Sequence, residues 1–309
     1  MKKFKTVISL LVVIVCVVLF VSIKQASSEN AKSSKIVVSL STFSLYDIAS
    51  HITTGSNVEL VMILPFGVDP HSFEPTPKLM AKISKSDLVV YNGAGLEPWT
   101  DGFEFSGKVI DMSKHVKLKK LGAHHHHHGA HKLGSLDPHY WLDINNMIKA
   151  TNLITDELIK ISPQNKTLYL KNRDSYILSL KKLDDDYKKA LSVCRADTII
   201  VNHNAFSYMA DNYHFNVESL SGLSPEAQPS AKKMIKLVKH VKEHNISTIF
   251  FESFVNDKAI KSIANEAKVN VDVLQPLGNI TANEAKRGLS FEDIMRENLQ
   301  KIAKALKCQ

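Results

Sequence analysis

The sequence predicts an α/β fold with two lobes of strand–helix units joined by a long helix. Short apolar runs alternate with helical stretches before residue 145 and again after residue 192. Strands that alternate with helices are typical of parallel sheets built from βα units. Between these regions, residues 145–192 contain almost no strand signals and place apolar side chains at helical spacing. Two βα regions separated by a long helix predict two lobes and a connecting spine.

The elements of the first half follow one another with short connections. The predicted strands are 36–40, 58–64, 88–91 and 109–112, and the predicted helices are 45–52 and 76–85. Pro77 lies in the first turn of the second helix, where a missing N–H costs no hydrogen bond. The pattern predicts a parallel sheet in this half.

The connecting segment 145–192 is predicted to be helical, with its main break at Pro163. Apolar and aromatic residues then recur at helical spacing, namely Leu168, Tyr169, Tyr176, Leu180, Leu183, Tyr187 and Leu191. A helix over 164–192 would be about 40 Å long at 1.5 Å per residue. That length suits a spine between two lobes. The alternative, a helix packed within one lobe, is disfavoured because βα alternation resumes after it.

The second half repeats the βα plan without an internal repeat of fixed period. Its predicted strands are 198–201, 215–219, 248–251 and 271–274, and its predicted helices are 205–211, 230–243, 257–267 and 291–307. The chain is therefore divided into an N-terminal lobe at 35–144, linking helices at 145–192 and a C-terminal lobe at 193–309.

The N-terminus has the charge pattern of a secretory signal. Lys2, Lys3 and Lys5 precede an apolar run over 7–21, and Ala26-Ser27-Ser28 offers a small-x-small cleavage site. We predict a signal peptide at 1–28 and a polar linker at 29–34. The alternative is an uncleaved anchor, although the run is just short of the roughly 20 residues that a spanning helix needs. A periplasmic or otherwise extracytoplasmic location follows, anchored to the membrane if the signal is uncleaved.

The composition excludes a nucleic-acid-binding role. The 309 residues carry a net charge of +8, and 1–28 contribute four lysines and no acid, so +8 − 4 = +4 remains. The remaining lysines are scattered along helices, whereas nucleic-acid binding needs a clustered basic surface. Beyond the signal the cysteines are Cys194 and Cys308. An exported compartment permits a disulfide between them, and two separate thiols are the alternative.

A histidine tract interrupts the first half. His124, His125, His126, His127 and His128 are consecutive, and His131 follows within a glycine-flanked loop over 122–131. Neutral imidazole is the commonest side-chain ligand of zinc-like metals, and a His-rich tract binds metal without forming one rigid site. An expression tag is the alternative, but the tract is internal. We interpret it as an accessory metal-collecting loop.

Three further histidines lie where this fold presents ligands. His71 follows the second strand, His139 precedes the linking helices, and His203 follows the first strand of the second half. In open α/β sheets, ligands bind outside the carboxyl ends of the strands. A cleft between the lobes would bring the three rings together, and three imidazoles suit zinc with a fourth position left open.

Four strings resemble the metal-binding substrate-binding proteins of ABC uptake systems, and most closely their zinc-uptake, ZnuA-like branch. They are Gly-Val-Asp-Pro-His-Ser-Phe-Glu-Pro-Thr-Pro from 67, Gly-Leu-Glu-Pro-Trp from 95, Asp-Pro-His-Tyr-Trp-Leu-Asp from 137 and Asn-His-Asn-Ala-Phe from 202. The resemblance covers nearly the whole mature chain. It implies two lobes that hold one zinc ion with His71, His139 and His203 in the cleft between them. It also implies that the protein delivers zinc to an ABC permease and its ATPase. The protein is expected to be a monomer that contacts the membrane only through its N-terminus or through the permease.

Two positions depart from the family pattern. Gln275 stands where many relatives carry an Asp that can be the fourth ligand, and Asn204 stands where relatives often have Asp after the third histidine. Because manganese prefers oxygen ligands and imidazole suits zinc, the change at 275 favours zinc. Glu252, at the end of a strand, or a water is the alternative fourth ligand. Asn204 would weaken the orientation of the His203 ring.

The predicted metal site is also compatible with functions other than zinc delivery. A manganese-binding homologue and a surface adhesin or metallochaperone remain alternatives. A three-histidine zinc hydrolase is disfavoured because the sequence has no His-Glu-x-x-His motif. The nearby acids Asp69, Glu74, Asp137 and Asp143 are expected to have loop or cap roles, with Asp143 as an N-cap. Zinc binding is expected to weaken below about pH 6, where unperturbed histidines gain protons.

Overall fold

The computed structural model describes residues 35–120, 136–219, 246–253 and 258–309, and single positions between 232 and 243. The elements below all belong to one compact unit, Ile36–Gln309. None of the described helices is long and apolar enough to cross a membrane. The signal 1–28, the linker 29–34, the loop 122–131 and most of the helix predicted at 230–243 lie outside the described residues.

The first lobe contains a parallel four-stranded sheet in the order β2-β1-β3-β4. Its strands are β1 (Ile36–Leu40), β2 (Val58–Met62), β3 (Leu88–Tyr91) and β4 (Lys108–Asp111), and its helices are α1 (Phe43–Thr53) and α2 (Pro77–Ile83). Thr76 caps α2 by accepting a hydrogen bond from the Leu79 N–H, and Pro77 lies in the first turn of the helix, as predicted. The fully buried residues of β3 explain its continuous apolar run.

A two-stranded antiparallel hairpin follows the first sheet. It consists of β5 (Lys119–Lys120) and β6 (Leu136–Asp137), in which Lys119 pairs with Asp137. These strands were not predicted, because two residues are too few to show a strand period. The hairpin brackets the segment that contains the histidine tract.

The second lobe repeats the parallel arrangement in the order β10-β9-β7-β8. Its strands are β7 (Thr198–Val201), β8 (Asn216–Ser219), β9 (Thr248–Phe251) and β10 (Asn270–Val273). Its helices are α5 (Ser207–Tyr213), α6 (Lys258–Ala267), α7 (Ala282–Lys286) and α8 (Phe291–Ala305). The short α7 was not predicted, but Thr281 and Glu284 form a capping box at its start.

Two helices connect the lobes, α3 (Ile144–Ile161) and α4 (Lys166–Ala190). The side chain of Asp143 caps α3, as predicted. The α4 helix has 25 residues and is therefore about 38 Å long. The hydroxyl of Tyr176 in α4 donates to Asp47 in α1, and that of Tyr187 donates to the Met295 carbonyl in α8. One helix thus contacts both lobes, which confirms the predicted two-lobed fold with a long connecting helix.

The start of the second lobe is tied to the end of the chain. Cys194 and Cys308 form a disulfide, which was one of the two states left open by the sequence. The Gln309 N–H donates to the Val193 carbonyl, and the Ala196 N–H donates to the Leu306 carbonyl. The segment that follows α8 is thereby held against the segment that precedes β7.

Candidate metal centre

Three histidines from three separate loops meet at one point between the lobes. His71 lies in the loop after β2, His139 lies two residues after the end of β6, and His203 lies two residues after the end of β7. The Nε2 atom of His139 is 3.2 Å from Nε2 of His71 and 3.4 Å from Nε2 of His203. One ring nitrogen from each histidine lies within 4.8 Å of the other two. The structure thus brings together the three residues that are predicted as ligands from the sequence.

Two buried carboxylates orient two of these rings. The Nδ1 atom of His139 lies 2.8 Å from Oδ1 of Asp137, and Nδ1 of His203 contacts Oε1 of Glu252. An ionised carboxylate only accepts hydrogen bonds, so we assign the ring proton of each histidine to Nδ1. In a neutral imidazole the other nitrogen, Nε2, then carries a lone pair. Both lone pairs face the point that the three rings share.

Burial favours the neutral forms of His71 and His203. It lowers the pKa of His71 to about 3, with a further decrease from the neighbouring His139 ring. It also lowers the pKa of His203 well below the usual value, and His139 and His71 add to the decrease. For Asp137, burial opposes ionisation, but the hydrogen bonds from His139 and Ser207 bring its pKa below the usual value. The expectation that the ligand histidines gain protons near pH 6 is therefore wrong for His71 and His203, because burial disfavours their charged forms.

The spacing of the nitrogens suits a tetrahedral zinc ion. With Zn–N bonds of about 2.0–2.1 Å, two imidazole nitrogens on one tetrahedral ion lie about 3.3 Å apart. The separations of 3.2 and 3.4 Å around His139 agree with this value. The donor set is entirely nitrogen, which suits zinc better than it suits manganese.

The cavity at the three rings has a volume of about 10 Å³. It is lined by the histidines, Glu252, Asp69, Pro70, Trp141, Pro276, Gly278 and Asn279. A space of this size holds about one water-sized particle. A larger cleft of about 330 Å³ beside β4 contains none of the three histidines. The central cavity therefore has the size of a single ion or water molecule.

The loop after β10 of the second lobe fixes the position of the His71 loop. The side-chain amide of Asn279 donates to the carbonyls of Pro65 and Val68 at 2.7 and 2.8 Å. A Cβ atom at Gly278 would lie 3.1 Å from Pro70 and 3.3 Å from the Trp141 ring. The absence of a side chain at 278 therefore allows the two lobes to approach closely at the cavity.

Glu252 and Gln275, the two side chains predicted as a fourth ligand or as a support for the ligands, lie in different surroundings. Glu252 lines the cavity and contacts His203, whereas the Gln275 side chain donates to the Glu284 carboxylate at 3.1 Å. Gln275 does not line the cavity among the described residues. Glu252 provides the orientation of His203 that the change to Asn204 was expected to weaken.

The position of Asp137 differs from the loop or cap role predicted for it. Asp137 accepts hydrogen bonds from both the backbone N–H and the ring of His139. An Asp placed two residues before a candidate ligand histidine, as in Asp137-Pro-His, was the available signal. The same spacing occurs at His71, whose backbone N–H donates to Asp69.

Two lobes joined by a long helix, with a histidine cluster between them, define the class of two-lobed solute-binding proteins. The chain belongs to the ZnuA family: the profile described as "Zinc-uptake complex component A periplasmic" matches residues 37–305. The family is one of solute-binding components, which confirms the prediction of a binding protein rather than an enzyme.

Similar proteins agree with this assignment. The chain is 31% identical over 315 residues to the high-affinity zinc uptake system protein ZnuA of Bacillus subtilis, with 98% of each chain covered. It is 33% identical over 286 residues to the zinc-binding protein AdcA of Streptococcus pyogenes, covering 87% of this chain and 55% of AdcA. The chain thus spans about half the length of that relative.

Among solved structures, the zinc-bound ZnuA-like domain of Streptococcus pneumoniae AdcA has the same fold. Its TM-score is 0.74 at 28% identity, and the match covers 88% of this chain and 99% of that domain. The two-lobed architecture of the family therefore applies to this chain.

Proposed function

We propose that this protein captures one zinc ion outside the cytoplasmic membrane with His71, His139 and His203 and delivers it to an ABC permease. The observation that carries the proposal is the pair of Nε2 atoms of His139 and His203, which lie 3.4 Å apart and are buried. Two lone pairs at this distance repel each other in the absence of a shared cation. A divalent ion at that point converts the repulsion into two coordinate bonds.

Zinc is the favoured cargo because the converging donors are imidazole nitrogens. Three nitrogen ligands leave a fourth tetrahedral position for a water, because Glu252 contacts the outer nitrogen of His203. The contacts of Asp137 and Glu252 with the outer ring nitrogens are the kind of support that ligand histidines usually have. The names of the Bacillus and Streptococcus relatives, which refer to zinc uptake and zinc binding, support the same choice.

The partners follow from the family. A zinc-uptake component hands its ion to a membrane permease that an ATPase drives, and we propose this arrangement here. The family profile is described as periplasmic, which supports an extracytoplasmic location. A cleaved signal would release a monomer, and an uncleaved signal would keep it on the membrane.

The histidine tract has a separate proposed role. His124, His125, His126, His127, His128 and His131 would collect zinc weakly and raise its concentration near the central cavity. These residues lie outside the described part of the chain, so this role stays a prediction.

Competitive zinc and manganese titration tests the proposal on the purified protein, on His203→Ala and on a variant lacking 123–131. We expect one tight zinc equivalent that survives loop deletion and is weakened more than about a hundredfold in His203→Ala, since even supporting residues contribute 10–100-fold. Manganese should bind more weakly than zinc. The proposal would be contradicted if tight zinc binding were lost on loop deletion and unchanged in His203→Ala.

A further inference from the structure

We infer that Lys119 and Tyr208 form an interlobe clasp that positions His139 and slows the release of the ion; this inference rests on the proposed function. The interlobe clasp consists of Lys119 and Asp137 in the β5–β6 hairpin and of Ser207, Tyr208 and Asp211 in α5. The hairpin precedes the linking helices, and α5 belongs to the second lobe. The clasp residues are not among the residues that line the cavity at the three histidines.

The hydroxyl of Tyr208 joins α5 to both strands of the hairpin. It accepts a hydrogen bond from the Lys119 N–H at 2.9 Å and donates one to the Asp137 carbonyl at 2.8 Å. Lys119 and Asp137 are directly paired residues of the hairpin. Tyr208 is 3% exposed, so water does not readily replace the backbone contacts of its hydroxyl.

The Lys119 side chain crosses the same junction. Its Nζ atom donates to the Ser207 carbonyl at 2.7 Å and lies 2.6 Å from Oδ2 of Asp211. It also lies 5.6 Å from the centre of the Tyr208 ring, within cation–π range. The ammonium group is therefore held by three neighbouring residues of one helix of the opposite lobe.

The clasp contacts residues next to two of the candidate ligands. Asp137 orients the His139 ring through Oδ1, and its other oxygen, Oδ2, accepts a hydrogen bond from the Ser207 hydroxyl. Ser207 begins the helix that follows the His203 loop. One carboxylate thus connects the His139 ring to the helix beside His203. Separation of the lobes would remove the Ser207 contact and leave Asp137 less constrained.

This connectivity gives the clasp a specific effect on the ion. With the clasp closed, the rings of His139 and His203 are held at the separation that a zinc ion requires. With the clasp weakened, the lobes separate more often, and the ion dissociates during those openings. The clasp should therefore affect the zinc dissociation rate more than the thermal stability of the zinc-free protein.

The test uses Tyr208→Phe, which removes only the hydroxyl, and Lys119→Met, which removes the ammonium group but keeps an unbranched side chain of similar length. Zinc dissociation is followed in stopped flow by transfer to a chromophoric chelator, and affinity is measured by competition. We expect each variant to release zinc about tenfold faster and to bind it correspondingly more weakly, a change of about 1.4 kcal/mol. Lys119→Arg keeps a cation and should restore most of the affinity.

Two matched controls separate the clasp from general packing. Tyr213→Phe removes another hydroxyl of α5, which donates to Asp184 in α4, and Lys120→Met changes the exposed neighbour of Lys119. Both controls should keep zinc release within about twofold of wild type, a difference well below 1 kcal/mol. The zinc-free forms of Tyr208→Phe and Tyr213→Phe should melt within about 3 °C of each other.

Wild-type release rates in Tyr208→Phe and Lys119→Met would overturn the inference, as would an equal acceleration in Tyr213→Phe. If the wild-type protein itself lacked a tight zinc site, the proposed function would fail, and the inference with it. A wild-type protein that binds zinc while its clasp variants behave normally rejects the inference alone.

Discussion

The Nε2 atoms of His139 and His203 lie 3.4 Å apart, and each ring is held from behind by a buried carboxylate, Asp137 or Glu252. The two histidines belong to different lobes, so this separation depends on how closely the lobes approach. The carboxylates fix the protonated nitrogen on the outer side of each ring. Under the proposed function, they would also offset part of the positive charge of the zinc ion.

Replacement of Glu252 by Gln should weaken zinc binding by about 10–100-fold. The amide keeps the size of the side chain but supplies no negative charge to the His203 ring. Competition titration against a chelator of known affinity measures the change. Glu157→Gln is the matched control, because Glu157 is also buried but pairs with Lys160. Unchanged affinity in Glu252→Gln would show that the contact with His203 does not support the ion.

Zinc affinity should change by less than about tenfold between pH 7.5 and pH 5.5, measured with a competitor calibrated at each pH. Burial lowers the pKa of His71 to about 3 and that of His203 well below the usual value. Both rings therefore stay deprotonated across this interval. With ordinary pKa values near 6.5, protons would compete at both rings and reduce affinity about a hundredfold at pH 5.5. A loss of that size would contradict the neutral state assigned to these two histidines.

Gln275→Ala should leave zinc affinity within about threefold of wild type, a difference of less than 1 kcal/mol. The Gln275 side chain donates to Glu284, and its backbone exchanges hydrogen bonds with Asn298. Zinc titration measures the affinity of Gln275→Ala against wild type, and His203→Ala is the positive control for loss of a ligand. A loss of more than about tenfold would identify Gln275 as a ligand and require its side chain to leave Glu284.

Reduction of the disulfide should lower the free energy of unfolding by about 2–5 kcal/mol. The bond closes a loop between residues separated by 114 positions, and it restricts the unfolded chain. Urea unfolding of the zinc-free protein with and without dithiothreitol measures the effect. The Cys194→Ala, Cys308→Ala double variant should resemble the reduced protein and be insensitive to dithiothreitol. Equal stability of the oxidised and reduced forms would contradict the prediction.

The larger elements were predictable because their signals are local. Apolar strands alternate with helices in both halves, and the spacing of Tyr176, Leu180, Leu183 and Tyr187 identifies one side of the long helix. Asp143 and Thr76 mark helix starts, since a cap side chain bonds to the N–H groups of the next few residues. The two-residue strands β5 and β6 carry no such signal, and only their pairing reveals them.

The sequence by itself determined the βα plan, the long helix and the choice of His71, His139 and His203, because strand ends and short motifs are properties of neighbouring residues. Only the tertiary structure decided the environment of those histidines. The contacts of His203 with Glu252, of Gln275 with Glu284 and of Asp137 with Ser207 join residues that are distant in the chain. The lowered pKa values of His71 and His203 likewise result from burial by both lobes, which depends on packing that no local pattern records.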